Sequence, residues 1–371
     1  MRSDPQMESS QPVLVGIVGS GVISTAYLRT KFPQYRVVAC ADVIAAQAAK
    51  RAHEFGIEAM SADNLLEDAR ISLVLNLTPP QSHVEITRRA LENGKHVYSE
   101  KPFAIRTEDA EPLLKLAAEK NLRIGCAPDT FLGAAGQTAR RAIDEGRIGE
   151  PIGGTASFFS GGPESWHPNA DFFYQKGAGP VFDMGPYYLT ALVNLLGPVK
   201  RVQASGRTTV GRREIGSGPR KGEQFDVNVL TYVAALLEFV SGPIVNFIAS
   251  FDVPDFTLPF LEIYGTKGAL QLPDPNWFGG SVRFGSNRRW SDIASVHAYG
   301  DGNYRGIGMA DLVASIGSRK PARASGELAL HVLEIMESIL STAADGGERV
   351  LRSRCERPRS LQPQVPQVNF D

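Results

Sequence analysis

Val13-Leu14-Val15-Gly16-Ile17-Val18, followed directly by Gly19-Ser20-Gly21-Val22-Ile23-Ser24, decides how the first half of this chain folds. An unbroken apolar, β-branched run predicts a strand covered on both faces, as strands of parallel sheets are. The glycines at its end permit a tight turn. They also let the backbone come close to a pyrophosphate, whose charge is favoured by the N-terminus of a following helix. Val22 to Lys31 has helical character and supplies that helix. Ser24 stands where a third glycine is usual and is small enough to keep helix and strand close. Gly19, Ser20, Gly21, Val22 and Ile23 are therefore the expected pyrophosphate-binding residues of a dinucleotide site.

The alternation continues outward. Tyr35 to Ala41 predicts a second strand, and Ala45 to Phe55 an Ala-rich helix stopped by Gly56. Leu73 to Leu77 reads as a third strand broken by Thr78-Pro79-Pro80. Ser82 and Glu85 have the spacing of a capping box for a helix running to Asn93-Gly94. A short strand at His96-Val97-Tyr98, a helix from Thr107 to Asn121 and a strand at Arg123 to Cys126 complete the pattern. Strand and helix in strict turn predict a doubly wound parallel sheet of the Rossmann type, an α/β domain over residues 12–132.

After about residue 130 the rhythm changes. A helix is expected over Ala134 to Glu145, then extended segments at Gly154 to Ser160 and Val199 to Thr208. Val227 to Phe239 and Ile244 to Phe251 flank Ser241-Gly242-Pro243 as a hairpin, and Leu261 to Tyr264 pairs with Ala269 to Leu272 across Gly265-Thr266-Lys267-Gly268. Consecutive hairpins predict a mainly antiparallel sheet, so residues 133–350 form an α+β domain. Helices close it at about Gly308 to Ser318 and Gly326 to Thr342, the latter placing Leu328, Val332, Ile335 and Ile339 on one face. Residues 1–11 and 356–371 are expected to be irregular tails.

With 371 residues the chain is too long for one ordinary core. Its net charge of −1 leaves no electrostatic footprint for nucleic acid or a membrane surface. No apolar run is long enough to span a bilayer. Cys40, Cys126 and Cys355 are odd in number and lack metal-ligand spacing, which fits a reducing compartment. The polar first dozen residues lack an export signal, so the cytoplasm is the expected setting.

Asp42 ends the second strand, about 23 positions after Gly19. An acidic side chain at that distance accepts bonds from an adenosine ribose and repels a 2′-phosphate. No Arg or Lys lies within Val43 to Gln47, so NAD is expected over NADP. The same aspartate suits an N-cap, and one carboxylate can do both. Thr78-Pro79 falls at the carboxyl edge of the sheet, where ligands sit, and reads equally as a plain strand terminator. His83 follows in the next helix and reads as packing unless the turn binds cofactor.

In order, Gly19-Ser20-Gly21, Thr78-Pro79, Glu100-Lys101-Pro102 and Asp183-Met184-Gly185-Pro186-Tyr187 resemble the glucose–fructose oxidoreductase / inositol dehydrogenase (Gfo/Idh/MocA) family over about residues 13 to 345. The resemblance implies a Rossmann domain, a second domain on a large open antiparallel sheet, a nicotinamide cofactor and polyol, sugar or glycoside substrates. It also implies a homodimer or homotetramer formed through that sheet. Lys101 matches the family's active-site lysine, able to meet a substrate hydroxyl and the nicotinamide ribose. Glu100 positions the lysine or contacts the nicotinamide side.

Asp183 and Tyr187 are four apart and share a face on a helical turn. Many members of the family have histidine at the Tyr187 position, so this chain departs from them and resembles the branch with tyrosine. A tyrosine of ordinary pKa about 10 is a poor base unless a cation lowers it, and Lys101 is the cation expected to do so. Trp166-His167 could line a sugar pocket or stabilise a loop, and His167 is an alternative base. Asp129, beyond a strand's carboxyl end, and Arg305, before a helix, are further substrate candidates. No cluster has metal spacing, so chemistry without a metal is expected.

The sequence thus predicts NAD-dependent oxidation of a secondary hydroxyl to a ketone, with Tyr187/Lys101 handling the proton. NAD-dependent glycoside cleavage through a transient ketone and a non-catalytic NAD sensor are the rivals.

Overall fold

The computed structural model describes residues 11–363 apart from Arg319, so most of the two expected tails lies outside the described residues. The opening strand is Val13–Val18 (β1), with Val15 and Ile17 fully buried. Helix α1 (Val22–Arg29) follows, then β2 (Tyr35–Ala41) and α2 (Ala45–Phe55), which Gly56 ends in the left-handed conformation. Next come β3 (Glu58–Met60), α3 (Ala62–Glu67), β4 (Leu73–Asn76), α4 (Pro80–Glu92), β5 (His96–Ser99), α5 (Thr107–Glu119) and β6 (Ile124–Cys126). The six strands form one parallel sheet in the order β3-β2-β1-β4-β5-β6. The order reverses between β1 and β4, which opens a crevice at their carboxyl ends.

Two expectations are corrected. The strand at Leu73 is the fourth, because β3 and α3 precede it. Three mostly exposed edge residues and a six-residue helix carry no readable period. No capping box starts α4 either: Pro79 is the N-cap and Pro80 the first helical residue. A proline there lacks only a donor that would have been unsatisfied. Ser82 therefore lies inside the first turn, and Glu85 pairs with Arg88 at 2.8 Å.

The second half begins with α6 (Ala134–Asp144) and β7 (Pro151–Phe159). Short helix α7 (Gly179–Asp183) leads into α8 (Gly185–Leu196), buried along its whole length. Strands β8 (Val199–Arg207), β9 (Arg212–Glu214), β10 (Gln224–Asp226), β11 (Tyr232–Phe239), β12 (Ile244–Ser250), β13 (Leu261–Gly265), β14 (Gly268–Leu272), β15 (Arg283–Ser286) and β16 (Arg289–Asp292) follow. Helices α9 (Ile307–Ser315) and α10 (Gly326–Asp345) and strand β17 (Arg349–Val350) complete the order. Nine strands make the large sheet, β16-β15-β14-β13-β7-β12-β11-β8-β17. All its pairings are antiparallel except β7 with β12.

Alternation in β11 buries Val233, Ala235, Leu237 and Phe239 and leaves Leu236 outside. The inner face is covered by α8 and α10. The two halves are joined where Cys126 N donates to Ala324 O at 3.0 Å, beside the N-cap of α10 at Ser325. From β17 to residue 363 the chain is irregular, yet it is pinned: Arg357 pairs with Asp144 at 2.9 Å and Leu361 N donates to Gln137 Oε1 at 2.7 Å.

Candidate active site

The turn after β1 is shaped for close approach. Gly19 has φ +100°, and a Cβ there would lie 2.5 Å from Leu77 O at the end of β4. A Cβ on Gly21 would meet nothing within 4 Å, so open space lies before the α1 N-terminus. That terminus has no side-chain cap and no acidic residue in its first turn. Its positive end favours an anion there. Ser24 Oγ donates to Gly21 O at 2.6 Å, closing the turn onto the helix.

Asp42 accepts Ser20 N at 2.8 Å on one oxygen and Ile44 N at 2.9 Å on the other. It holds the turn rather than capping α2, whose N-cap is Ile44. Val22, Val43 and Ile44 are all exposed around this crevice, Val22 by 92%. Exposed apolar residues suit the flat faces of a dinucleotide and the uncapped helix end suits its pyrophosphate, so the crevice fits NAD. Sequence reasoning missed Arg51, which donates to Gly21 O at 3.2 Å from α2.

On the other side of the crevice, Thr78 Oγ1 donates to Asn76 Oδ1 at 2.7 Å. Buried His83 has its ring nitrogens 2.7 Å from Thr78 O and 2.7 Å from Pro102 O. Burial pushes the imidazole pKa down, against the pull of those two carbonyls. His83 thus ties the Thr78-Pro79 turn to the backbone beside Lys101.

Lys101 leaves the carboxyl end of β5 and reaches into the second half. Its Nζ donates to Asp183 O at 2.6 Å and to Asp183 Oδ1 at 3.0 Å, and lies 5.2 Å from the Tyr187 ring centroid. Asp183 ends α7 and Tyr187 sits in the first turn of α8. The helix is interrupted at Met184 between them, yet both side chains meet the lysine. Burial alone pushes the Lys101 pKa down. Asp183, Tyr187 and Glu100 more than offset that, so the ammonium is held charged. Beside it lies a small cavity lined in part by Pro102, Pro186 and Met336.

Glu100 connects the two sides. Its Oε1 accepts Tyr27 OH from α1 at 2.8 Å and its Oε2 accepts Lys101 N at 2.9 Å. No local pattern marks Tyr27, which is buried six residues beyond the glycine turn.

The structure brings Arg305 to this cluster. Its guanidinium donates to Asn303 Oδ1 at 3.2 Å and Asn276 Oδ1 at 3.4 Å, and lies near enough to Tyr187 and Glu100 to feel their charge. Burial pushes the guanidinium pKa down, but Tyr187 and Glu100 outweigh that. Asn276, from the loop after β14, carries no sequence signal. Asp129 is not open to a ligand: it is buried, and its Oδ2 accepts Gly306 N at 2.9 Å and Gly308 N at 3.0 Å. It fixes the turn that bears Arg305.

Trp166 and His167 form an aromatic group with Phe173. Trp166 is 65% exposed. Among the described residues no hydrogen bond or ring contact joins either to Lys101, Asp183 or Tyr187. No group of His, Cys, Asp and Glu among them could hold a metal, and no helix of theirs is long and apolar enough to cross a membrane.

A dinucleotide crevice with a half-buried, charged lysine at its far edge defines an NAD-dependent oxidoreductase. A family model described as an oxidoreductase family with an NAD-binding Rossmann fold matches residues 13–127, and one described as the GFO/IDH/MocA C-terminal domain matches residues 137–271. Together they span more than half of the chain, and the chain belongs to this family of dehydrogenases.

It is 24% identical to a levoglucosan dehydrogenase of Pseudarthrobacter phenanthrenivorans, over 90% of this chain and 97% of that protein. With the scyllo-inositol 2-dehydrogenase (NAD(+)) of Bacillus subtilis it shares 28% identity over 69% of this chain and 72% of the other. A solved levoglucosan dehydrogenase in complex with NADH and L-sorbose superposes with TM-score 0.79 at 22% identity, covering 93% of this chain and 100% of that one. That likeness shows the fold.

Proposed function

We propose that the protein oxidises a secondary hydroxyl of a sugar, polyol or glycoside to a ketone. The observation that carries this reading is the meeting of Lys101, Asp183 and Tyr187, drawn from the two halves of the chain, beside the crevice that suits NAD. Gly19, Ser20, Gly21, Val22, Ile23 and Asp42 would hold the adenosine and pyrophosphate end. Thr78, Pro79, His83, Glu100 and Lys101 would border the nicotinamide end. NAD supplies the hydride acceptor when bound. The charged Lys101 orients the alcohol oxygen and stabilises negative charge developing on it, Tyr187 takes its proton, and Asp183 fixes the ammonium.

The named relatives act on levoglucosan and scyllo-inositol, so a panel of anhydrosugars, inositols, sugars and glycosides with NAD and NADP is the direct test. Reduced NAD should accumulate with at least one member. Lys101→Ala should still bind NAD while kcat falls by about 100-fold or more. Near wild-type turnover in that variant, or substrate consumed with no net reduced cofactor, sinks this reading. Preference for NADP would remove Asp42 from the ribose.

Two further properties belong to the same reading. Copies of the chain associate through the outer face of the nine-stranded sheet, where Leu236 and Ile244 are exposed; the mass in solution measures this. Three free cysteines fit a cytoplasmic setting; location of the tagged chain in cell fractions tests it.

A further inference from the structure

The Lys101 ammonium carries three donors, and two are engaged: Nζ donates to Asp183 O at 2.6 Å and to Asp183 Oδ1 at 3.0 Å. The third meets no acceptor among the described residues, and an alcohol oxygen suits it. Its natural competitor is the residue next door. A carboxylate oxygen without a partner, beside a cation with a donor to give, pairs with that cation. Glu100 does not do so. Its Oε1 accepts Tyr27 OH at 2.8 Å and its Oε2 accepts Lys101 N at 2.9 Å, and among the described residues the ion pair of Lys101 is with Asp183. We infer that Tyr27 is a positioning residue: by holding the Glu100 carboxylate on the α1 side, its hydroxyl leaves the third donor of the Lys101 ammonium to the substrate alcohol. The inference rests on the proposed role of Lys101 toward that alcohol.

The carboxylate is the part of Glu100 that can move. Its main chain is fixed, with the N–H donating to Asn76 O at 2.9 Å and the carbonyl accepting Ser99 Oγ at 3.1 Å and Cys126 Sγ at 3.6 Å. Two residues on, Pro102 O lies 2.7 Å from a ring nitrogen of His83. Burial pulls the Lys101 pKa down while Asp183, Tyr187 and Glu100 pull it up, so the charge of Glu100 already reaches the ammonium. Rotation of the side chain would complete the pair.

Tyr27 is built to prevent that rotation. It is 1% exposed, and burial first, then the charge of Glu100, push its phenol pKa up, so the hydroxyl stays a donor. A Cβ on Gly306 would lie 3.5 Å from Tyr27 Cδ1, which places the ring against the turn that bears Arg305. At the end of α1, Thr30 Oγ1 donates to Asn303 O of that turn at 3.2 Å. The helix that opens at the glycine turn therefore carries the phenol to Glu100 in one fixed position.

The test compares Tyr27→Phe, Glu100→Gln and the double variant Tyr27→Phe/Glu100→Gln in the full chain, with NAD and a substrate from the panel. Tyr27→Phe deletes one oxygen and keeps the ring. It should lose about 10-fold in kcat/KM for the sugar, while the Kd of NAD, measured by calorimetry, stays within about threefold. A crystal structure of Tyr27→Phe without substrate should show Glu100 turned onto Lys101 Nζ. The double variant should be no slower than Glu100→Gln alone, because Tyr27 acts through the carboxylate.

Wild-type kcat/KM in Tyr27→Phe overturns the inference. So does a loss carried by NAD affinity, which would make Tyr27 a support of the pyrophosphate-binding helix. Multiplying losses in the double variant, or Glu100 unmoved in the Tyr27→Phe structure, overturn it as well. Should Tyr27→Phe fail to fold, Glu100→Asp decides: its carboxylate is one methylene too short to keep both partners, and wild-type kcat/KM there overturns the inference. Near wild-type turnover in Lys101→Ala instead defeats the proposed function itself, so the two failures are told apart.

Discussion

Asp129 and His331 are buried titratable groups with opposite effects on stability. Burial pushes the Asp129 carboxyl up to about 6, against the N–H groups of Gly308 and Gly306 and the charge of Arg305, which pull it down. Its pKa is therefore higher folded than unfolded, where about 3.9 is ordinary. Stability from it is present below pH 4 and is lost as pH rises through 6, by about 3 kcal/mol. His331, in α10, accepts Val199 N on Nε2 at 2.9 Å and faces Ser353 Oγ with Nδ1 at 2.8 Å. Burial pushes its imidazole down to about 4, although Glu334 and Ser353 raise it. Stability from His331 is thus present above about pH 6.5 and lost as pH falls through 4, also by about 3 kcal/mol. Between pH 4 and 6.5 the two nearly cancel. Urea unfolding across that range should show Asp129→Asn gaining stability with rising pH more steeply than wild type, and His331→Gln losing it. Identical slopes in all three proteins would exclude both assignments.

Elements with a strong local signal were legible in the sequence, and those made by tertiary context were not. β1, β2 and α2 match their expected limits because a β-branched run and an Ala-rich helix ending at glycine state their own boundaries. β3, α3, β9 and β10 were invisible: each is too short for a period, and their pairing partners define them. In the site, the meeting of Lys101 with Asp183 and Tyr187 was expected from ordered motifs. The tie between Arg305 and Asn276 was not, because nothing in the sequence links a turn at Arg305 to the loop after β14. Tyr27 and Asn276 were missed for the same reason. The nine-stranded sheet carries a prediction of its own. Alternation in β11 and β12 puts Leu236 and Ile244 on a face that no helix of the described chain covers, each about half exposed. Exposed apolar strand residues in a sheet of this size mark an association surface. Light scattering should give a multiple of the 40.1 kDa chain mass. Leu236→Glu should shift it toward the monomer, since a charge on the central face is costly to bury. A wild-type monomer at micromolar concentration would sink the proposal.

Across the whole molecule, the division into two sheets conceals one core. A single cluster of buried apolar residues runs from Val15 in the parallel sheet through Tyr187 and Leu237 to Ile339 in α10. The joint is also polar and directional. Cys126 N donates to Ala324 O, Glu337 of α10 accepts Thr107 N at 2.8 Å at the start of α5, and Lys101 reaches Asp183. Removing either half would leave buried apolar surface and charged groups without partners, so neither sheet gains stability by melting alone. Calorimetry should therefore show one transition. NAD at about 100 times its Kd stabilises the folded state by about 2.7 kcal/mol, and for a chain this long that raises the single transition by about 4 °C. The shift should cover the entire endotherm although the nucleotide touches the first sheet. Separate melting of the halves, with only one peak displaced by NAD, would mean that Lys101 and Tyr187 meet across a mobile joint, not within a continuous core. The preorganised geometry on which the proposed chemistry depends would then be absent from the resting protein.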